Sequence, residues 1–66
     1  MRDLKLENNV LNFIEKNKQD YVDVESLIKG FKRVEPLHIY DALVALRKNK
    51  KIERINIGNY YYYKKL

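Results

Sequence analysis

This sequence predicts an α+β fold, mainly helical: a single domain over residues 1–66, with three helices followed by a C-terminal β-hairpin. Three observations carry that prediction. Apolar residues recur at spacings of three and four around Val10 and again around Leu43, as one buried helix face requires. From Ile52 to Ile57 the pattern switches to period two, the signature of a strand. Between that strand and four consecutive tyrosines, Tyr60 to Tyr63, stands Gly58-Asn59, a two-residue hairpin signal.

Each element has its own punctuation. In DLKLENNVLNFIEKNK, Leu6, Val10, Phe13 and Ile14 form one stripe, with Leu4 and Leu11 beside it. Asp3 is placed to cap this first helix by accepting its free amide protons. Asn17 and the polar stretch through Lys18, Gln19 and Asp20 end it. Tyr21-Val22 is a short β-prone piece leading into a second helix over 23–30, which Asp23 caps and Gly30 closes. Glu25 suits the positive first turn, and Leu27, Ile28 and Phe31 supply the buried side. The third helix, residues 36–48, starts at Pro36, whose missing N–H costs nothing at N1. Glu35 is then the N-cap, and Val34 and Ile39 stand at the two positions of a hydrophobic staple. Ile39, Ala42, Leu43 and Leu46 line its inner stripe. The expected core is Leu6, Val10, Ile14, Leu27, Ile28, Ile39, Leu43, Leu46 and Ile52.

The four tyrosines cannot share one face, because successive strand residues point to opposite sides. Gly58, with the positive φ of a I′ or II′ turn, sets Ile57 opposite Tyr60 and Ile55 opposite Tyr62. Those four residues make one strongly apolar face. Tyr61 and Tyr63 then fall beside Asn56 and Arg54, and the expectation is that this pair stays outward. A one-residue slip in register would invert the assignment.

Composition narrows the function. With no cysteine and one histidine, the chain has neither disulfides nor a thiolate or imidazole cluster for a metal. The longest apolar run, Ala42 to Leu46, is too short to span a membrane. The N-terminus mixes acids with bases, unlike a signal peptide, so a cytoplasmic protein is expected. Asp41 and Glu53 are the acids of the C-terminal half, but no nucleophile–base pair or phosphate-cradling glycine loop accompanies them, and the chain reads as non-enzymatic without a cofactor. Charge is uneven. Residues 1–35 carry seven Lys or Arg against seven Asp or Glu, whereas residues 36–66 carry seven against two, so the whole net charge of +5 belongs to the C-terminal half. Such asymmetry points to a polyanion at that end.

The order helix, short strand, helix, turn, helix, hairpin, together with Ile39, Ala42-Leu43, Leu46 and, past Arg47-Lys48-Asn49-Lys50-Lys51, Ile52, resembles the winged helix-turn-helix family. The resemblance covers residues 4 to 64. The chain also looks like the small winged-helix modules at the C-terminus of archaeal mini-chromosome maintenance helicases, whose wing ends in glycine and aromatics. It departs from the pattern after the third helix, where many members place glycine and this chain has Lys50. Asn49 is expected to take the left-handed turn there.

The resemblance implies a duplex-DNA-binding protein, such as a transcriptional regulator or DNA-associated accessory factor, with helix 36–48 in the major groove and the wing, 52–65, on the backbone or minor groove. The implied phosphate contacts are Arg47, Lys48, Lys50, Lys51, Arg54, Lys64 and Lys65, with His38 as a further polar contact. Tyr40, Tyr61 and Tyr63 would pack on sugar or bases. With Ile39 inward, the outer side of the third helix carries Leu37, Asp41, Val44 and Lys48. Val44 suits a thymine methyl and Asp41 a cytosine amine, whereas Leu37 suits neither. An alternative therefore stands: a winged-helix protein-interaction or dimerisation module that uses the exposed Leu37 and Val44.

Overall fold

The computed structural model describes residues 3–17 and 21–66. Within them lie α1 (Leu4–Lys16), β1 (Val22–Asp23), α2 (Val24–Gly30), α3 (Pro36–Lys48), β2 (Ile52–Ile57) and β3 (Tyr60–Lys65). The three helices share one core with an antiparallel sheet of order β1-β3-β2. No helix among the described residues is long and apolar enough to cross a membrane.

Local signals act as expected at most ends. The Asp3 carboxylate accepts from the Leu6 N–H at 3.0 Å, capping α1. Asn17 is its C-cap, while the expected continuation through Lys18, Gln19 and Asp20 lies outside the described residues. Asp23 stands at the N-cap of α2 but makes no side-chain bond to the helix backbone. Its carboxylate instead accepts from the Ser26 hydroxyl at 2.5 Å. Gly30 packs against Phe13: a Cβ there would lie 2.6 Å from the Phe13 ring, which would have to shift; that ring stacks obliquely on Phe31 at a centroid distance of 5.6 Å. Pro36 opens α3 behind Glu35, and Val34 packs on the core beside it.

The end of α3 departs from expectation. Lys50, not Asn49, takes the left-handed backbone, with φ of 58°; Asn49 is the C-cap, with φ of −87°. The reason is the hydrogen-bond frame of the turn. Lys51 N–H donates to the Leu46 carbonyl at 2.9 Å and Lys50 N–H to the Arg47 carbonyl at 3.0 Å, the paired closure of a Schellman motif. That motif puts its left-handed residue one place beyond the cap, whichever side chain stands there.

The hairpin register is the expected one: Ile57 faces Tyr60, Ile55 faces Tyr62 and Arg54 faces Tyr63. Its orientation is inverted. Tyr63 is buried at 4% exposure, in one cluster with Ile52 and Val22, and Val22 is its partner on β1. The apolar face of Ile55, Ile57, Tyr60 and Tyr62 therefore points away from the helices. Tyr63 does not reach an external ligand with its ring. The helices cover only the base of the hairpin, and there Ile52 and Val22 decide which parity faces in. The core otherwise matches expectation, with Ile28 half-buried and Val22, Ala42 and Tyr63 added.

Candidate nucleic-acid interface

The exposed side of α3 can be read from the sheet side towards α1. Tyr40 and Arg47, seven residues apart, share the stripe nearest the hairpin. Next come Leu37 and Val44, exposed at 65% and 54%. Beyond them are Asp41 and Lys48, both exposed, and last His38. Lys50 and Lys51 follow on the turn, exposed as well.

At the sheet side, four of the expected residues gather around a fifth. The hydroxyl of buried Tyr63 accepts from the Arg54 side chain, and the charges of Arg54 and Arg47 and the phenol of Tyr40 all act on it. Burial raises the Tyr63 pKa above the ordinary tyrosine value; the two guanidiniums pull the other way without cancelling it. Arg54 also lies over the Tyr61 ring, 4.4 Å from its centroid. Arg54 is thus held by an aromatic face and a hydroxyl while remaining exposed. A guanidinium has five N–H donors, so most of them are left to bind elsewhere. The result is a basic cluster between α3 and the hairpin, in which Arg54, Arg47 and Tyr40 surround the Tyr63 phenol and Tyr61 stacks on Arg54.

The other expected residues lie apart from that cluster. Lys65 is paired with Glu15 of α1 at 3.1 Å. Lys64 lies on the outer side of the sheet, its ammonium 5.5 Å from the centre of the Tyr21 ring. His38 and Asp41 line a cleft of about 420 Å³ between α1 and α3, together with Asp3, Leu6, Glu7, Ala42 and Ala45. Three carboxylates there make that flank unfavourable for phosphate. Among the described residues, no three His, Cys, Asp or Glu side chains converge as a metal site would need.

Sequence reasoning missed the role of Tyr63 as the group that orients Arg54. A signal was present. Ile52, the first strand residue after α3, has to face the core; that fixes Arg54 on the same parity, and the register then brings Tyr63 beside it. No family model matches this chain, and no curated protein or solved structure does either.

Proposed function

We propose that this chain is a winged helix-turn-helix that binds duplex DNA, with α3 at the major groove and the β2–β3 hairpin as the wing on the adjacent backbone. The observation that carries the reading is the cluster in which Arg47, Arg54 and Tyr40 act on the Tyr63 phenol while Tyr61 stacks on Arg54. Two further features support it. The order α1, β1, α2, α3, β2, β3, with β3 central in the sheet, suits a helix-turn-helix followed by a wing. The excess positive charge also falls on the segment that builds α3, the turn and the hairpin. The activity is binding, not catalysis, and regulation of transcription is one use of it.

In this reading Arg47, Lys48, Lys50, Lys51 and Arg54 contact phosphates. Tyr40 and Tyr61 pack against sugars, and Val44 offers a methyl surface to thymine. Tyr63 is a positioning residue, and Lys64 and Lys65 contribute through the field of the molecule rather than by contact. Affinity is then chiefly electrostatic, with modest sequence preference. The test is duplex binding by fluorescence anisotropy at two salt concentrations. Wild type should bind random duplex at about 50 mM salt and release it steeply as salt rises. Replacing Lys50 and Lys51 with alanine should weaken binding to every sequence alike and reduce the salt slope by about one unit for each lysine that neutralises a phosphate. Absence of duplex binding at low salt would sink the proposal. Leu37 and Val44, which cannot read base edges by hydrogen bonds, would then favour the alternative of a protein-interaction surface on α3.

A further inference from the structure

We infer that the outer side of α3 carries a base-reading site that selects a cytosine amine lying beside a C5-methyl group. The inference rests on the DNA reading and specifies what α3 recognises there. An open cleft of about 290 Å³ lies on this side of the helix, lined by Asp41, Val44, Ala45, Lys48 and Asn49. Asp41 is exposed, and Val44 is 54% exposed. Three residues apart on one helix, their Cβ atoms stand about 5–6 Å from each other. Helical side chains lean towards the N-terminus, so Val44 extends over the turn that carries Asp41. One carboxylate and one branched apolar group are thus presented together.

Asp41 is the informative residue. Arg47, Lys48, Lys50 and Lys51 follow it along α3 and the turn, and these cations fit a polyanion. A carboxylate among them repels phosphate, so against DNA it needs a donor on a base edge. Ionised, it can only accept. In the major groove guanine shows two acceptors, thymine shows its O4 acceptor, and adenine sets N7 beside its amine. Cytosine shows its N4 amine with no acceptor of its own. Asp41 therefore selects cytosine. Val44 can neither donate nor accept and packs on a methyl. The groove offers one at C5 of thymine, and 5-methylcytosine carries the same group at the same position. The methyl thus has two sources: the selected cytosine itself, or a thymine stacked on it about 3.4 Å away. Both fall within the span of the two side chains.

Two pairs of duplexes that differ only in that methyl test this, by fluorescence anisotropy at about 50 and about 200 mM salt. The first pair repeats the step TC, with thymidine or with deoxyuridine. The second repeats CG, with 5-methylcytosine or with cytosine. Wild type should bind the methyl-bearing member of at least one pair about fourfold more tightly, the effect of burying one methyl group. The pair that responds identifies the source of the methyl. A TA-repeat duplex has the methyl but no cytosine, and should bind about tenfold more weakly than the TC repeat. Val44→Ser should lose the methyl preference. Asp41→Asn supplies a donor and an acceptor, the pattern that pairs with adenine, so it should bind the TA repeat at least as well as the TC repeat. Were Asp41 only a repulsive charge, that substitution would tighten both alike. Comparing the ratio between the two proteins cancels the differing flexibility of the duplexes. Equal affinities within both pairs, or an unchanged TC-to-TA ratio in Asp41→Asn, would overturn the inference while leaving duplex binding intact. Absence of duplex binding at about 50 mM salt would instead remove the DNA reading and this site together.

Discussion

The Arg54 guanidinium lies 4.4 Å from the centre of the Tyr61 ring and donates to the hydroxyl of Tyr63. One tyrosine holds it by its face and the other by its oxygen, so its rotamer is set before any ligand arrives. Ordering a free arginine on binding costs about 0.5–1.5 kcal/mol of side-chain entropy, and that cost is largely met within the fold. Lysine has the charge but neither the planar face for stacking nor the fork of donors. Arg54→Lys should therefore keep the salt slope of duplex binding while weakening affinity about tenfold. Anisotropy titrations of the two proteins in one buffer decide it: equal affinities would mean that Arg54 acts only as a charge.

Tyr63 gives the fold an alkaline weakness. Its folded-state pKa is raised, with burial as the main cause. Below the unfolded tyrosine pKa of about 10 both states are protonated and stability is at its full value. Above it the unfolded chain releases the proton first, and stability falls until pH passes the folded pKa. Tyr63→Phe has no proton to lose. At neutral pH it should be less stable by about 1 kcal/mol, because it cannot form the hydrogen bond to Arg54. That deficit should shrink as pH rises beyond about 10. Urea unfolding of both proteins at pH 7 and across the alkaline range measures the difference; a constant gap at all pH values would show that Tyr63 does not titrate differently on folding.

Much of the fold was legible because local chemistry and final position agree. Asp3, Pro36 and Gly58-Asn59 each act through their own backbone neighbourhood, so helix starts and hairpin register follow from short stretches. The inverted sheet face was harder to read. Counting apolar residues favours Ile55, Ile57, Tyr60 and Tyr62 as the inner face, but the helices reach only the base of the hairpin, so Ile52 and Val22 outweigh the larger apolar content near its tip. The pairing of the two-residue β1 with β3 is a long-range contact that no short pattern announces. The same cause split the candidate site. Arg54 and Tyr61 share the inner parity, extend past the helices and join Tyr40 and Arg47. Lys64 has the outer parity, and Lys65, although on the inner side, meets Glu15 on α1.

Leu43 and its neighbour Val44 test the assignment of α3's two sides. Leu43 is 1% exposed, among the largest fully buried side chains, whereas Val44 is 54% exposed. Leu43→Ala removes buried methyl groups and leaves a cavity, at about 2–5 kcal/mol, a large part of the stability of so small a domain. Val44→Ala should shift stability by no more than about 0.5 kcal/mol. Thermal melts of the two variants, each one residue from the other, check both statements; a Leu43→Ala melting temperature close to wild type would show that the inner stripe is misassigned.

On the proposed reading, Lys50 sets stability against DNA binding. A lysine with φ of 58° brings its Cβ close to a carbonyl oxygen, a strain of roughly 1–2 kcal/mol that glycine does not carry. Part of the gain from glycine is offset by the greater freedom it gives the unfolded chain. Lys50→Gly should consequently stabilise the fold by about 1 kcal/mol while leaving the turn's two hydrogen bonds in place. It also removes one cation next to α3, so duplex binding should weaken and the salt slope fall by about one unit. Asn49→Gly is the control: Asn49 has an ordinary backbone conformation, and glycine there should bring no stability. Melting temperatures and salt-dependent titrations of the two variants separate the effects. A Lys50→Gly protein no more stable than wild type would remove the strain argument, and one that binds duplex with an unchanged salt slope would remove Lys50 from the interface.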